Sequence, residues 1–252
     1  MSGGGRHLLA SFLHFESLLK TIVSGQSAHL GFTLAEVLVT LGIIGVVSAM
    51  TVPTLMQNYQ RKSYVTQLHK FYNEMSQALM QYQADNNAIN LKEAGFRNQD
   101  NLNNFIRKYF KVVSECGKDR APCFAESYKK INGLDIIIDK TVANGDTFTL
   151  ASGQTVNISY TEGTYKFLVA LLIDVNGQKG PNIQGRDLFE MYIYDPNSGW
   201  FIDDLNPDAT SVVPLTEDQR EDQFTKYCLA GTASNRHGCF GKILNDNWEM
   251  NY

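Results

Sequence analysis

An uninterrupted apolar segment with a single charge near its start limits the fold of this chain more than any other feature. Between Phe32 and Val52 the only charged residue is Glu36. A helix over this segment, rising about 1.5 Å per residue, is long enough to cross the hydrocarbon core of a membrane. Burying a carboxylate at the centre of a bilayer costs roughly 2.5–3.5 kcal/mol or more. Glu36 is therefore predicted to have a functional partner.

Two common kinds of membrane-targeting segment account for the length of this run but not for Glu36. In a secretory signal peptide, the small residues VSA at 47–49 would form the cleavage site. The apolar run would then begin only after an unusually long lead-in. A plain signal anchor explains the length of the span but does not explain why it contains a glutamate.

The segment Gly31–Val47, GFTLAEVLVTLGIIGVV, resembles the class III prepilin signal of type IV pilins and type II secretion pseudopilins. In that family a membrane-embedded aspartyl peptidase cuts after the glycine on the cytoplasmic side and methylates the new N-terminus. The resemblance implies that cleavage follows Gly31 and that Phe32 becomes the methylated first residue. It also implies that Glu36, the fifth mature residue, guides filament assembly.

The leader that would be removed, Met1–Gly31, differs from a usual prepilin leader. His29 and Leu30 precede the glycine, where the family usually has Lys or Arg. Basic residues also follow the span, so their count does not decide its orientation. The resemblance implies a single pass through the bacterial inner membrane with the C-terminal domain in the periplasm, followed by a periplasmic or extracellular filament.

The apolar pattern predicts that the helix continues beyond the span. Pro53 lacks a backbone N–H and clashes with the preceding turn, so a kink near this residue is expected rather than a stop. Downstream, apolar residues recur at spacings of three and four, which is typical of an amphipathic helix that backs a globular domain. They are Tyr64, Leu68, Phe71, Met75, Leu79 and Tyr82. The segment ADNNAIN is expected to end the helix.

The rest of the chain predicts an α+β fold, in which the long N-terminal helix packs on a small antiparallel β-sheet. NLNNFIRKYFKVV predicts a short helix, and β-rich runs then follow one another without intervening helices. These runs are LDIIID, DTFTL, TVNISY, YKFLVALLID and LFEMYIY. The segment from Pro207 onward is expected to be irregular. The predicted organisation is a leader over 1–31, a transmembrane and polymerisation helix over 32–56, and a periplasmic pilin-like domain over 57–252.

Four cysteines form two local pairs. Cys116 and Cys123 bracket one short loop, and Cys228 and Cys239 bracket another near the C-terminus. Of the three possible pairings, the adjacent one is expected, as disulfides of a domain in an oxidising compartment. A zinc site is disfavoured because neither spacing matches a CxxC pattern and His237 is the only nearby imidazole.

The sequence contains no recognisable nucleophile motif and no Gly-rich phosphate loop after a strand, so an enzyme is not predicted. One loop, DVNGQKGPNIQGRD, carries Asp174, Asn176 and Asp187, whose oxygens are ligands that Ca²⁺ prefers. Some pseudopilins that resemble this chain bind calcium in a loop. Asn176-Gly177 is equally a strong turn signal, so a calcium site and a plain turn both stay open. No other cofactor is expected.

These features predict a structural subunit of a type IV pilus or a type II secretion pseudopilus. The resemblance implies three partners: a prepilin peptidase, other pilin or pseudopilin subunits, and an inner-membrane assembly platform. A formal net charge of −4 without a basic stripe argues against nucleic acid as a partner. The alternative is a signal-anchored periplasmic binding protein that forms no filament. Such a protein would need neither Glu36 nor a free Phe32 amine.

Overall fold

The computed structural model describes residues 31–136, 145–161, 166–208 and 214–252. The chain divides into two compact units, residues 1–54 and 55–252. The predicted leader, apart from Gly31, lies outside the described residues, and so does the end of the predicted strand LDIIID.

Helices come at both ends of the described chain, and the strands lie between them. The helices are α1 (Leu34–Asp85), α2 (Leu91–Ala94), α3 (Gln99–Tyr109), α4 (Glu217–Gln223), a π-helical segment (Phe224–Leu229) and α5 (Cys239–Asn245). The strands are β1 (Val112–Gly117), β2 (Tyr128–Lys129), β3 (Asp135–Ile136), β4 (Asp146–Leu150), β5 (Thr155–Tyr160), β6 (Phe167–Asp174), β7 (Leu188–Tyr194) and β8 (Phe201–Asp203).

Helix α1 continues through Pro53 without ending there, and its last residue, Asp85, lies within the predicted stop segment. Over the part that belongs to the second unit, one face is buried, as the apolar spacing predicts. Tyr82, expected on that face, is half-buried, and its ring packs 4.7 Å from that of Phe96. The buried residues of α1 are Tyr64, Val65, Leu68, Phe71, Met75, Ala78 and Leu79.

The strands confirm the α+β prediction. Six of them form one sheet in the order β1-β4-β5-β6-β7-β8, and every pair within it is antiparallel. β2 and β3 pair separately. The chain meanders from β4 to β8 because each strand returns beside its predecessor through a short connection, which antiparallel pairing allows.

Alternating side chains give the sheet two different faces. On what we call the core face, residues such as Val156, Leu171 and Met191 join the buried stripe of α1 in the main hydrophobic core. On the opposite side, the back face, the alternate residues form two smaller clusters. One contains Phe124, Tyr128, Ile136, Leu172 and Leu188, and the other contains Phe167, Tyr192 and Tyr194.

The C-terminal segment contains helices over residues 217–229 and 239–245, so the prediction that it would be irregular is wrong for these residues. Thr216 begins α4 with a capping box, in which its hydroxyl accepts the Gln219 N–H at 3.2 Å and its own N–H donates to the Gln219 side chain at 3.0 Å. All seven residues of α4 are polar, so the helix has no apolar periodicity that the sequence could reveal.

A fully buried lysine ties this segment to the strands. Lys130 Nζ donates three hydrogen bonds, to Gln184 Oε1 at 2.9 Å, to the Tyr227 carbonyl at 2.8 Å and to the Asn235 carbonyl at 2.7 Å. Each ammonium hydrogen therefore has an acceptor, which is the condition for burying such a group. Burial, followed by the charge of Arg236, lowers the pKa of Lys130 to about 8.

Asp204, on the loop after β8, fixes the start of α5. Its buried carboxylate accepts the N–H groups of Gly238 and Gly241, each at 2.8 Å. Gly238 has a φ of 93°, and a Cβ there would collide with the Gln223 carbonyl. This position therefore requires glycine. Burial raises the pKa of Asp204 to about 6.

Candidate functional site

Helix α1 begins with a capping box formed by Thr33 and Glu36. The Thr33 N–H donates to Glu36 Oε2 at 2.9 Å, and the Glu36 N–H donates to Thr33 Oγ1 at 3.2 Å. The Thr33 hydroxyl also donates to Glu36 Oε2 at 2.9 Å. Two N–H groups that have no acceptor inside the helix are thereby satisfied.

Thr33 is the site residue that sequence reasoning missed. The signal was present, because a threonine three residues before a glutamate at the start of an apolar run is the capping-box pattern. As a charge in a membrane segment, Glu36 is predicted only to have a functional partner. The structure shows that its carboxylate also has a local partner.

The residues after this cap form a fully exposed apolar helix surface. Every described residue from Gly31 to Gln60 is exposed, and Phe32 and Leu34 expose 86% and 79% of their surface. The two threonines inside the span bond back to their own helix, Thr40 to the Val37 carbonyl at 3.0 Å and Thr51 to the Val47 carbonyl at 2.9 Å. Both threonine hydroxyls therefore have an acceptor within the helix, which suits a lipid environment.

One helix of the described chain, α1, is long and apolar enough to cross a membrane. An exposed apolar surface of this length is rare on soluble proteins and is stable only against lipid or other apolar helices. Gly42 and Gly45 face open space, so a neighbouring helix could approach closely on their side.

The predicted cleavage junction is accessible. Gly31 precedes the helix, and a Cβ added to it would meet no atom within 4 Å. Phe32 follows it in non-helical backbone. The structure therefore leaves this peptide bond outside the regular helix.

Residues 27–52 match the family model of the prokaryotic N-terminal methylation motif. The chain carries this motif. The match covers the Gly31–Phe32 junction, the Thr33–Glu36 cap and most of the apolar segment, and it is consistent with type IV pilins and pseudopilins. A motif of this kind points to a structural protein anchored in a membrane rather than to an enzyme. No curated protein and no solved structure matches the chain.

The four cysteines form two disulfides, Cys116–Cys123 and Cys228–Cys239. These are the two adjacent pairs expected from the sequence. The second disulfide lies in the main core and joins the π-helical segment to the first residue of α5. It therefore links two helical parts of the C-terminal segment covalently.

Of the three predicted calcium ligands, Asp174 and Asp187 already have hydrogen-bond donors, whereas Asn176 Oδ1 is buried without a partner among the described residues. Asp174 accepts the Tyr128 hydroxyl at 2.5 Å and the Asn176 N–H at 3.1 Å. Asp187 accepts the N–H groups of Asn182 and Ile183 at 2.8 and 2.7 Å. Both carboxylates are fully buried, and each of their oxygens has a donor.

The two carboxylates therefore stabilise a tight loop through hydrogen bonds. Burial is the main cause that raises the pKa of both carboxyl groups, and the pKa of Asp174 reaches about 7. Among the described residues no group of three or more His, Cys, Asp or Glu side chains could hold a metal ion. Calcium binding by Asp174, Asn176 and Asp187 stays a prediction, which a Ca²⁺-dependent rise in melting temperature, lost in Asp174→Ala, would support.

Proposed function

We propose that this chain is the precursor of a filament subunit of the type IV pilin and type II secretion pseudopilin kind. The observation that carries the proposal is the N-terminal methylation motif on a capped, exposed apolar helix with one carboxylate at its front edge. The same helix continues into the amphipathic stretch that supports the α+β domain. One element would thus serve both as anchor and as scaffold.

In this proposal a prepilin peptidase cuts the Gly31–Phe32 bond and methylates the new amine. The cut places a positive charge at Phe32, beside the positive end of the α1 dipole. Glu36 lies one helical turn further on and carries the opposite charge. Amine and carboxylate are both costly in a low dielectric when unpaired, and a close pair offsets part of that cost.

Assembly then exchanges one partner of Glu36 for another. Before assembly, Thr33 satisfies the carboxylate within the same chain. In the filament, Glu36 of an incoming subunit meets the Phe32 amine of its neighbour, which sets the axial register as the helix leaves the bilayer. A charged donor forms a stronger hydrogen bond than a hydroxyl, so the exchange favours the assembled state.

The partners that follow from this proposal are the peptidase, further pilin or pseudopilin subunits and an inner-membrane assembly platform. The globular domain would lie in the periplasm before assembly. Two disulfides suit that compartment, because disulfides persist in oxidising environments.

Co-expression with a prepilin peptidase tests the processing step. The parent should be shortened, whereas Gly31→Leu should stay uncut because a large side chain blocks the peptidase. A leucine at 31 meets open space in the folded chain, so misfolding would not explain the block. Gly42→Leu is the matched control, since its position is equally open, and it should be cut. If Gly31→Leu is cut like the parent, the junction has been assigned wrongly.

A further inference from the structure

A cavity of about 260 Å³ opens on the back face of the sheet, between the two small apolar clusters. Leu172 of one cluster and Phe167 and Tyr192 of the other belong to its wall. Polar groups come from the loop that precedes α5, chiefly Arg236 and His237. Its lining residues include none from the methylation motif and none from α1.

Arg236 is the most unusual group in this wall. Only 6% of its surface is exposed, and within the described ranges its charged contact is a long one, from Nη2 to Glu190 Oε1 at 3.4 Å. Its Nε and Nη1 are buried and have no hydrogen-bond partner among the described residues. Buried guanidinium nitrogens are nearly always paired, because an unpaired donor loses its hydration without compensation.

The neighbouring groups do not supply the missing acceptor. His237 Nδ1 is likewise buried without a partner, and burial, followed by the charges of Lys130 and Arg236, lowers its pKa to about 4. The imidazole is therefore neutral near pH 7. All three hydrogens of Lys130 are used by other acceptors, so the lysine adds positive charge without a free donor. The wall itself contains two cationic side chains, Arg236 and Arg120, and one carboxylate, Glu190.

The cavity is held in shape by the surrounding structure. The carbonyl of Arg236 accepts Gln184 Nε2 at 2.8 Å, and the carbonyl of Asn235 accepts Lys130 Nζ at 2.7 Å. The Cys228–Cys239 disulfide closes the loop that carries both residues. A ligand would therefore meet a backbone that is already ordered, which lowers the entropic cost of binding.

We propose that this cavity binds a small organic carboxylate, whose anionic group accepts hydrogen bonds from Arg236. A single negative charge suits the site, because Glu190 would repel a doubly charged phosphate. The apolar wall of Leu172, Phe167 and Leu205 suits a hydrocarbon body. The volume equals that of about nine water molecules at roughly 30 Å³ each, which admits a ligand of one ring or a short chain.

Calorimetric titration of the full chain in detergent tests the proposal with benzoate, benzamide and inorganic phosphate as probes. Benzamide has the shape of benzoate without its charge. Benzoate should bind at least about tenfold more tightly than either other probe, since a charge-assisted hydrogen bond contributes about 1.5–3 kcal/mol. Arg236→Gln should weaken benzoate binding by a similar factor.

A second variant keeps the test informative if Arg236→Gln does not fold. Ala170→Leu fills part of the cavity from strand β6 without changing any charge, and it should also reduce benzoate binding. The proposal is overturned if benzoate does not bind the parent, or if benzamide or phosphate binds as tightly as benzoate. It is also overturned if Ala170→Leu binds benzoate like the parent. None of these results depends on filament assembly.

Discussion

The hydroxyl of Thr33 lies 2.9 Å from Glu36 Oε2, so the one charged side chain of the apolar segment is hydrogen-bonded within its own chain. The same carboxylate oxygen accepts the Thr33 N–H at 2.9 Å. Glu36 therefore has a hydrogen-bond partner that does not depend on a neighbouring subunit of the proposed filament. Glu36 therefore has two roles in this account, capping helix α1 and guiding assembly. Mutations can separate the two.

Replacing Glu36 should block assembly and leave earlier steps intact. Glu36→Ala and Glu36→Leu should insert and be cut normally, because the span only becomes more apolar, yet fail to enter filaments when expressed alone. Glu36→Asp should be impaired because its shorter side chain weakens the pair with the Phe32 amine. Filament yield after shearing, compared with the amount of processed subunit in the membrane, measures the effect.

Thr33 supplies the matched control for this experiment. Thr33→Val removes the hydroxyl and costs the helix start about 1 kcal/mol, whereas Thr33→Ser keeps the cap. Assembly should fall less in Thr33→Val than in Glu36→Ala, and Thr33→Ser should behave like the parent. Equal losses in Thr33→Val and Glu36→Ala would show that the cap alone explains the glutamate.

Lys130 should be among the most sensitive positions for stability. Lys130→Met would leave Gln184 and two backbone carbonyls without their buried donor, so the free energy of unfolding should fall by about 3 kcal/mol or more. The neighbouring Lys129 is exposed, and Lys129→Met should change the free energy of unfolding by less than about 0.5 kcal/mol. Urea denaturation of both variants makes the comparison. Similar losses in the two would mean that the buried bonds of Lys130 do not stabilise the fold.

Asp174 should make stability fall as pH rises. Its pKa is about 7 in the folded chain because the carboxyl is buried, against an ordinary value of 3.8. Between these values the folded state retains a proton that the unfolded state has lost. The free energy of unfolding should therefore decrease with rising pH across this window, by up to about 1.4 kcal/mol per pH unit.

Asp174→Asn should remove the contribution of Asp174 to this slope, whereas Asp204 and Asp187, whose pKa values burial also raises, keep theirs. Leu188→Ala, opposite Asp174 across β6 and β7, is the control that does not titrate. It should lower stability by roughly 2–5 kcal/mol at every pH. Urea denaturation midpoints of the three proteins, measured across the pH range between the unfolded and folded pKa values of Asp174, test this prediction. Parallel curves for the parent and Asp174→Asn would contradict the buried-carboxyl account.

Both disulfides should be present in protein exported to an oxidising compartment. Non-reducing peptide mapping should recover Cys116 linked to Cys123 and Cys228 linked to Cys239. Each link closes a short loop and should contribute roughly 2–4 kcal/mol in the chain-entropy picture. Reduction should lower the melting temperature, and Cys228→Ser with Cys239→Ser, which removes one of the two links, should reproduce part of that change. Four alkylatable thiols in natively folded protein would refute the assignment.

Local patterns in the sequence were sufficient for β4 to β7 and for the start of the long helix. They missed β1, β2 and β8, and the predicted helix 101–113 ends at Tyr109 before β1 begins. β4, β5 and β7 have the bounds of the runs DTFTL, TVNISY and LFEMYIY, because β-branched and aromatic residues end there at turn signals. Helix α4 could not be found in this way. Its seven residues are polar, and its stability comes from a cap, the disulfide and distant partners.

The back-face cavity could not be predicted because its groups are far apart in the chain. Arg236 and Glu190 are separated by 46 residues, and Lys130 and Asn235 by 105. No local periodicity marks such residues. In contrast, Gly31, Phe32 and Glu36 lie within one short motif, so sequence alone identified them as candidates.

N-terminal sequencing with intact-mass measurement of the membrane-extracted chain tests the central claim most directly. The account predicts that the mature chain begins at Phe32, carries one methyl group on its amine and contains residues 32–252 in full. Recovery of a chain that begins near Met50 would instead indicate an ordinary signal peptide. A chain that keeps Gly31 and the residues before it, when co-expressed with an active prepilin peptidase, would contradict the proposed function.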